Sequence, residues 1–230
     1  VVPAARQHDD VKLVHRSIML AMPYPDPMTG PLLFIGDSIT DAGRRDDPEG
    51  LGHGYVRLIA RSLAARGDHR TVLNRGIGGD RIGELRARWR ADAIEPAPSV
   101  LTVYVGVNDT WRRFDAGLPT SAGHFETVYR GMLDEVRATV NPRLILVEPF
   151  VVPVVEEQQE WLDDLAGKRE AVASLATEFG AAFVPLHRVL TVAAAHHGAA
   201  AIAADGVHPT ELGAELIAEA WEAAEGASSA

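Results

Sequence analysis

The sequence predicts a single α/β domain built on a parallel sheet, and two observations carry that expectation. Short, nearly continuous apolar runs recur along the chain, each bounded by Gly, Pro, Asn or Asp. Between them lie longer stretches whose apolar residues repeat at intervals of three and four. Runs without polar alternation are the mark of strands covered on both faces, which is how parallel sheets are buried. Strand followed by helix, repeated, predicts crossover connections and one layered domain.

Taken in order, the strands are expected at Leu32–Gly36, Thr71–Asn74, Val100–Val105, Leu144–Val147 and Ala182–Val184. Helical spacing joins Tyr55, Leu58, Ile59 and Leu63 after the first strand, and Ile82, Leu85 and Trp89 after the second. It joins Val128, Met132, Leu133 and Val136 after the third. Further helices are expected from about Gln158 to Phe179 and from Glu211 to Ala224. The alanine-rich tract around Ala193–Ala204 reads as a helix end followed by a loop. Residues 1–30 are polar and proline-rich, which predicts an extended arm ahead of a domain covering 31–230.

Composition narrows the function. The 230 residues are 47% hydrophobic, as in an ordinary globular protein, and no run approaches the ~20 apolar residues that span a bilayer. A net charge of -10 argues against nucleic acid as partner, because phosphate affinity needs clustered Lys and Arg. The basic run Arg81, Arg86, Arg88, Arg90 is interspersed with acids and reads as a solvated helix face. With no cysteine, thiol nucleophiles, disulfides and thiolate metal sites are excluded. The first thirty residues lack a sustained apolar segment of the secretory kind, which sets the cytoplasm as the expected location.

In an open α/β sheet, ligands bind beyond the carboxyl ends of the strands. The segments there are Gly36-Asp37-Ser38-Ile39-Thr40, Asn74-Arg75-Gly76-Ile77-Gly78-Gly79-Asp80, Gly106-Val107-Asn108-Asp109 and Glu148-Pro149-Phe150. The cluster Asp205-Gly206-Val207-His208-Pro209, before the last helix, can return to the same rim. Acyl transfer needs a hydroxyl nucleophile, a base in reach of it, a group that fixes the base's tautomer, and donors for the oxyanion. Ser38 can supply the first, His208 the second and Asp205 the third. The backbone N–H groups of Ser38 and Gly79 and the side-chain amide of Asn108 can supply the donors. Trp111 is either core or a wall that limits the acyl group. Asp37, Arg81 and Glu148 are the other rim residues in range of a substrate, although Asp37 also reads as a bond within its own turn.

At these residues the sequence resembles the SGNH, or GDSL-type, hydrolases. Their four blocks correspond here to GDSIT, NRGIGGD, GVND and DGVH, in order, over about Leu32 to Ala224. GDSITDAGR, GYVRLI, NRGIGGDRIGELRARW, GVNDTWRRFD, EPF and GVHP resemble the acetylxylan-esterase branch. The resemblance implies a flavodoxin-like three-layer sandwich with a mostly five-stranded parallel sheet, and catalysis without metal or other cofactor. It also implies an acetylated sugar or oligosaccharide as substrate, and a homo-oligomer. The family usually carries Ser where this chain has Gly78, and the resemblance does not extend to the N-terminal arm.

Each residue also has a structural reading. Ser38 can be a helix N-cap, Asn108-Asp109 and Asp205-Gly206 can be turns, and Pro209 suits a helix start. His53, His124, His187, His196 and His197 carry no motif. Alternatives to an acetyl-carbohydrate esterase are a lipid esterase or acyl-thioesterase of the same chemistry, a two-metal phosphoesterase, and a carbohydrate-binding module without catalysis. Arg81, Trp111, Arg112, Arg113 and Asp115 beside the rim favour a polar substrate over a long acyl chain.

Overall fold

A computed structural model describes residues 30–227. The expected arm falls outside these residues except for Gly30, whose carbonyl accepts a hydrogen bond from Ser99 Oγ at 2.6 Å. Five strands form one all-parallel sheet: β1 Leu32–Gly36, β2 Val72–Gly76, β3 Val100–Tyr104, β4 Arg143–Val147 and β5 Ala182–Val184. Their spatial order is β2-β1-β3-β4-β5, the flavodoxin-like arrangement.

The helices are α1 Ser38–Asp41, α2 Tyr55–Ala65, α3 Ile82–Trp89, α4 Val107–Ala116, α5 Ala122–Thr139, α6 Gln159–Glu178, α7 Leu186–His197, α8 Ala199–Ile202 and α9 Glu211–Ala227. Strand alternation divides the apolar residues between two layers. Leu32 and Phe34 of β1 enter a core with α2, α7 and α9, while Leu33 and Ile35 enter a second core with α3 and α5. All five β1 residues are buried, as the unbroken run LLFIG predicts. Among the described residues no helix is long and apolar enough to cross a membrane.

Two helices are more extensive than sequence spacing suggests. The GVND segment opens α4 instead of forming only a turn. Its first turn buries Val107, Asn108, Asp109 and Thr110 together, so polar side chains occupy the inward face and hide the amphipathic pattern. The alanine-rich tract is the end of α7 followed by the short α8, and α7 buries only Leu186 and Leu190.

What this topology does for function is local. β1 pairs with β2 on one side and β3 on the other, so the chain reverses its direction of growth beside β1. The turns after β1, β2 and β3 therefore meet at one switch point, where such sheets bind ligands.

Candidate active site

Ser38 is the first residue of α1, immediately beyond β1. Asp37 caps that helix, its Oδ1 accepting from Ile39 N at 3.0 Å. The bland assignment of Ser38 as the cap is thus filled by its neighbour, and the Ser38 hydroxyl faces elsewhere. Its Oγ lies 2.9 Å from His208 Nε2, and His208 Nδ1 lies 2.6 Å from Asp205 Oδ2.

Asp205 also holds its own loop. Its Oδ1 accepts from Val207 N at 3.0 Å and from His208 N at 2.7 Å. Burial pushes the Asp205 carboxyl upward, but hydrogen bonds from the His208 ring and from these two amides hold it below its ordinary value. An ionised carboxylate can only accept, so it selects the neutral tautomer of His208 with the proton on Nδ1, which leaves the Nε2 lone pair to the Ser38 hydroxyl. The arrangement can draw a proton from Ser38.

Sequence reasoning missed the support beneath this loop. Gln158, buried at the start of α6, donates from Nε2 to the Asp205 carbonyl at 2.7 Å and accepts from Val154 N at 2.9 Å. Gly206 presses against it. Its φ is +85°, and an added Cβ would stand 2.5 Å from Gln158 Oε1. No motif signals Gln158, because its partner is a backbone atom 47 residues away.

Of the three candidate oxyanion donors, the Ser38 backbone N–H stands at the start of α1, and the other two come from the segments after β2 and β3. Gly79 has φ +86° with nothing within 4 Å of an added Cβ, so conformation and not space demands glycine there. Asn108 is buried and donates one amide hydrogen to the Asp80 carbonyl at 3.1 Å. The amide has a second hydrogen to offer. Asp80 itself is gripped by Arg88, Nε to Oδ2 at 2.7 Å. Arg88 also donates to the carbonyls of Arg75 at 2.7 Å and Gly36 at 2.9 Å, and pairs with Asp92 at 2.9 Å. It therefore ties the ends of β1 and β2 to the Gly79–Asp80 turn. This corrects the reading of the basic run as a solvated face: Arg86 and Arg90 do pair on the surface with Glu135, but the Arg88 side chain is only 14% exposed.

Asp109 likewise serves structure, accepting from Ile82 N at 3.0 Å at the start of α3. Burial raises its carboxyl to about 6. Asn74, from the second motif, braces the segment after Ser38. It donates to the carbonyls of Thr40 at 2.6 Å and Leu51 at 2.8 Å and accepts from Gly76 N at 2.8 Å. Where the resemblance expects Ser, an added Cβ on Gly78 would lie 3.8 Å from Ser38 Cβ, an ordinary contact.

The weaker substrate-binding candidates divide. The Trp111 ring lies 5.9 Å from the His208 ring and 5.4 Å from Trp161, so it is at once a rim wall and an extension of the core. Arg81 is engaged by Glu84, with Nη2 to Oε1 at 2.7 Å, in the first turn of α3. Glu148 accepts from His187 N at 3.0 Å at the start of α7. Asp37 is wholly buried and offers no surface to a substrate. Burial lifts its carboxyl to about 7. Among the described residues no cluster of three His, Asp or Glu side chains is arranged to hold a metal ion.

A flavodoxin-like sheet bearing a linked serine, histidine and aspartate at its switch point defines the class of serine esterases that use this fold. The GDSL-like Lipase/Acylhydrolase family model matches residues 34–216, and the chain belongs to that family. It is a carboxylic-ester hydrolase. The chain is 32% identical to an acetylxylan esterase of Geobacillus stearothermophilus over 201 residues, 83% of this chain and 91% of the relative. The crystal structure of the acetylxylan esterase Axe2 from that organism is 29% identical and matches with a TM-score of 0.79, covering 87% of this chain and 97% of the other. Three solved Axe2 variants, described as catalytic mutants, replace a serine, an aspartate and a histidine by alanine. Each is 30% identical to this chain with a TM-score of 0.79, covering 86% of it and 94% of the variant.

Proposed function

We propose that Ser38 is the nucleophile, His208 the general base and acid, and Asp205 the group that orients His208, in an esterase that removes acetyl groups from carbohydrate. The observation that carries this is the unbroken line of hydrogen bonds from Ser38 Oγ through His208 to Asp205. As the hydroxyl attacks the ester carbon, its proton passes to His208 Nε2. The carbonyl oxygen becomes an oxyanion held by the backbone N–H groups of Ser38 and Gly79 and by the Asn108 amide. Collapse breaks the bond to the alcohol, which takes the proton from His208. Water then repeats the sequence on the acetyl-enzyme, with His208 as base, and releases acetate.

The choice of an acetylated saccharide is supported by the acetylxylan esterases among the relatives. The Axe2 aspartate and histidine described as catalytic stand three positions apart, as Asp205 and His208 do. Hydrolysis of p-nitrophenyl acetate, butyrate and octanoate by the wild type and Ser38→Ala tests both levels. The expected result is a steep fall with chain length, and a loss in the variant of about 10³-fold or more in kcat. Retained activity in Ser38→Ala overturns the mechanism. A rate rising toward octanoate keeps the mechanism and moves the substrate to lipids or thioesters. Loss of activity with a chelator favours a metal-dependent reaction instead.

A further inference from the structure

A cleft of about 480 Å³ opens directly from Ser38 and His208, a size usual for small-molecule sites. It is bounded by the segment after α1, by α2 and by the start of α9. No residue of the Gly79 turn or of α4 lines it. Two of the three candidate oxyanion donors, Gly79 and Asn108, together with Trp111 thus belong to elements outside the cleft, while the third, the Ser38 backbone N–H, stands where cleft and donors meet.

That division decides which half of an ester goes where. In the tetrahedral adduct on Ser38 Oγ, the oxyanion must face Gly79 and Asn108. The departing oxygen must face His208 Nε2, from which it takes its proton as the C–O bond breaks. The cleft that begins at His208 is therefore placed for the alcohol, leaving the acyl group to the Trp111 side.

The lining supports a hydroxyl-rich alcohol. Leu58 and Ala214 give it an apolar floor suited to the C–H face of a ring. Around this stand His53, Arg61 and Glu211, all exposed. Arg57, in the same wall, is already paired with Asp47 and Glu49, both at 2.5 Å. Arg61 and Glu211 make no ion pair or side-chain hydrogen bond among the described residues. A donor and an acceptor of opposite charge on one cleft match a neutral polyol, whose hydroxyls donate and accept, better than an alkyl chain or an anion.

We infer that this cleft is the alcohol subsite, and that Arg61, Glu211 and His53 set its preference for a saccharide leaving group. The inference rests on the proposed roles of Ser38 and His208. The test compares kcat/KM of wild type, Arg61→Ala, Glu211→Ala and His53→Ala on acetylated xylo-oligosaccharide and on p-nitrophenyl esters. All three side chains are exposed, so the variants are expected to fold. The ratio of saccharide to p-nitrophenyl acetate activity should drop about tenfold in Arg61→Ala or Glu211→Ala, through KM more than kcat. The acetate-to-butyrate ratio should stay within about twofold of wild type. An unchanged saccharide ratio overturns the subsite, and so does a shifted acetate-to-butyrate ratio, which would make the cleft an acyl pocket. If the wild type hydrolyses p-nitrophenyl acetate but no acetylated saccharide, the substrate reading falls together with the subsite.

Discussion

Gly206 shows how much one position in the candidate site must satisfy. Its positive φ suits glycine, and its missing side chain leaves room for Gln158, which in turn holds the Asp205 carbonyl. Gly206→Ala should lower kcat on p-nitrophenyl acetate by about tenfold or more by turning Asp205 and His208 out of line. A variant with unchanged kcat would show that the loop tolerates the strain. Asp37 makes a different prediction. Its proton is retained to about pH 7 in the folded protein, whereas an unfolded Asp releases it near pH 4. Between these values the folded state binds more protons, so this residue's contribution to stability falls as pH rises, by up to about 4 kcal/mol. Asp80, Asp109 and Glu148, also raised by burial, act in the same sense, and His187, lowered by burial, opposes them. Asparagine can still cap α1. Urea unfolding of Asp37→Asn from pH 4 to 7.5 should show a flatter profile than wild type. Parallel profiles would place the proton elsewhere.

At the scale of elements, α4 carries both Asn108 and Trp111, and its attachment to α6 converges on Asp164. That carboxylate accepts from Thr110 Oγ1 at 2.8 Å, Arg113 Nη1 at 2.5 Å and Lys168 Nζ at 2.5 Å. Burial raises the Asp164 carboxyl, but these three partners, Lys168 foremost, hold it below its ordinary value. The Lys168 side chain is 0% exposed, so removing its partner strands a buried charge. Asp164→Ala should therefore cost about 3–5 kcal/mol in chemical denaturation, and Asp164→Ala with Lys168→Met should recover much of it. Equal losses in the single and double variants would mean that the charge itself is not the cause.

At the scale of the molecule, the two cores share one thin sheet. Successive residues of β1 point into opposite layers, so neither core can loosen without exposing the other. Urea should abolish esterase activity and helical circular dichroism at the same midpoint, as one cooperative transition. Separate midpoints would reveal independent layers. The site depends on this unity, because its groups arrive from the ends of β1, β2 and β3 and from the loop before α9.

Much of this was legible from residue order alone. The five apolar runs named the strands, since strands covered on both faces need no polar alternation. The four motif blocks, ending in Asp205-x-x-His208, named the groups to look for, since acyl transfer requires a particular set of functional groups. The local part of the linkage was also visible, because Asp205 and His208 are three residues apart on one loop. What only the tertiary structure decided are contacts whose partners are backbone atoms or are remote in the chain. The 170 residues separating Ser38 from His208 are closed by the sheet, not by any pattern. Gln158 and Asp164 carry no signature, and Arg88, although it lies in a motif stretch, gives no sign of its contacts, because a carbonyl or carboxylate reached across the fold is anonymous in sequence. The burial of Asn108, Asp109 and Thr110 disguised the start of α4 for the same reason: polar residues can face inward once the fold supplies their partners. Side-chain type declares chemistry, but the closing of distant segments decides which chemistry meets.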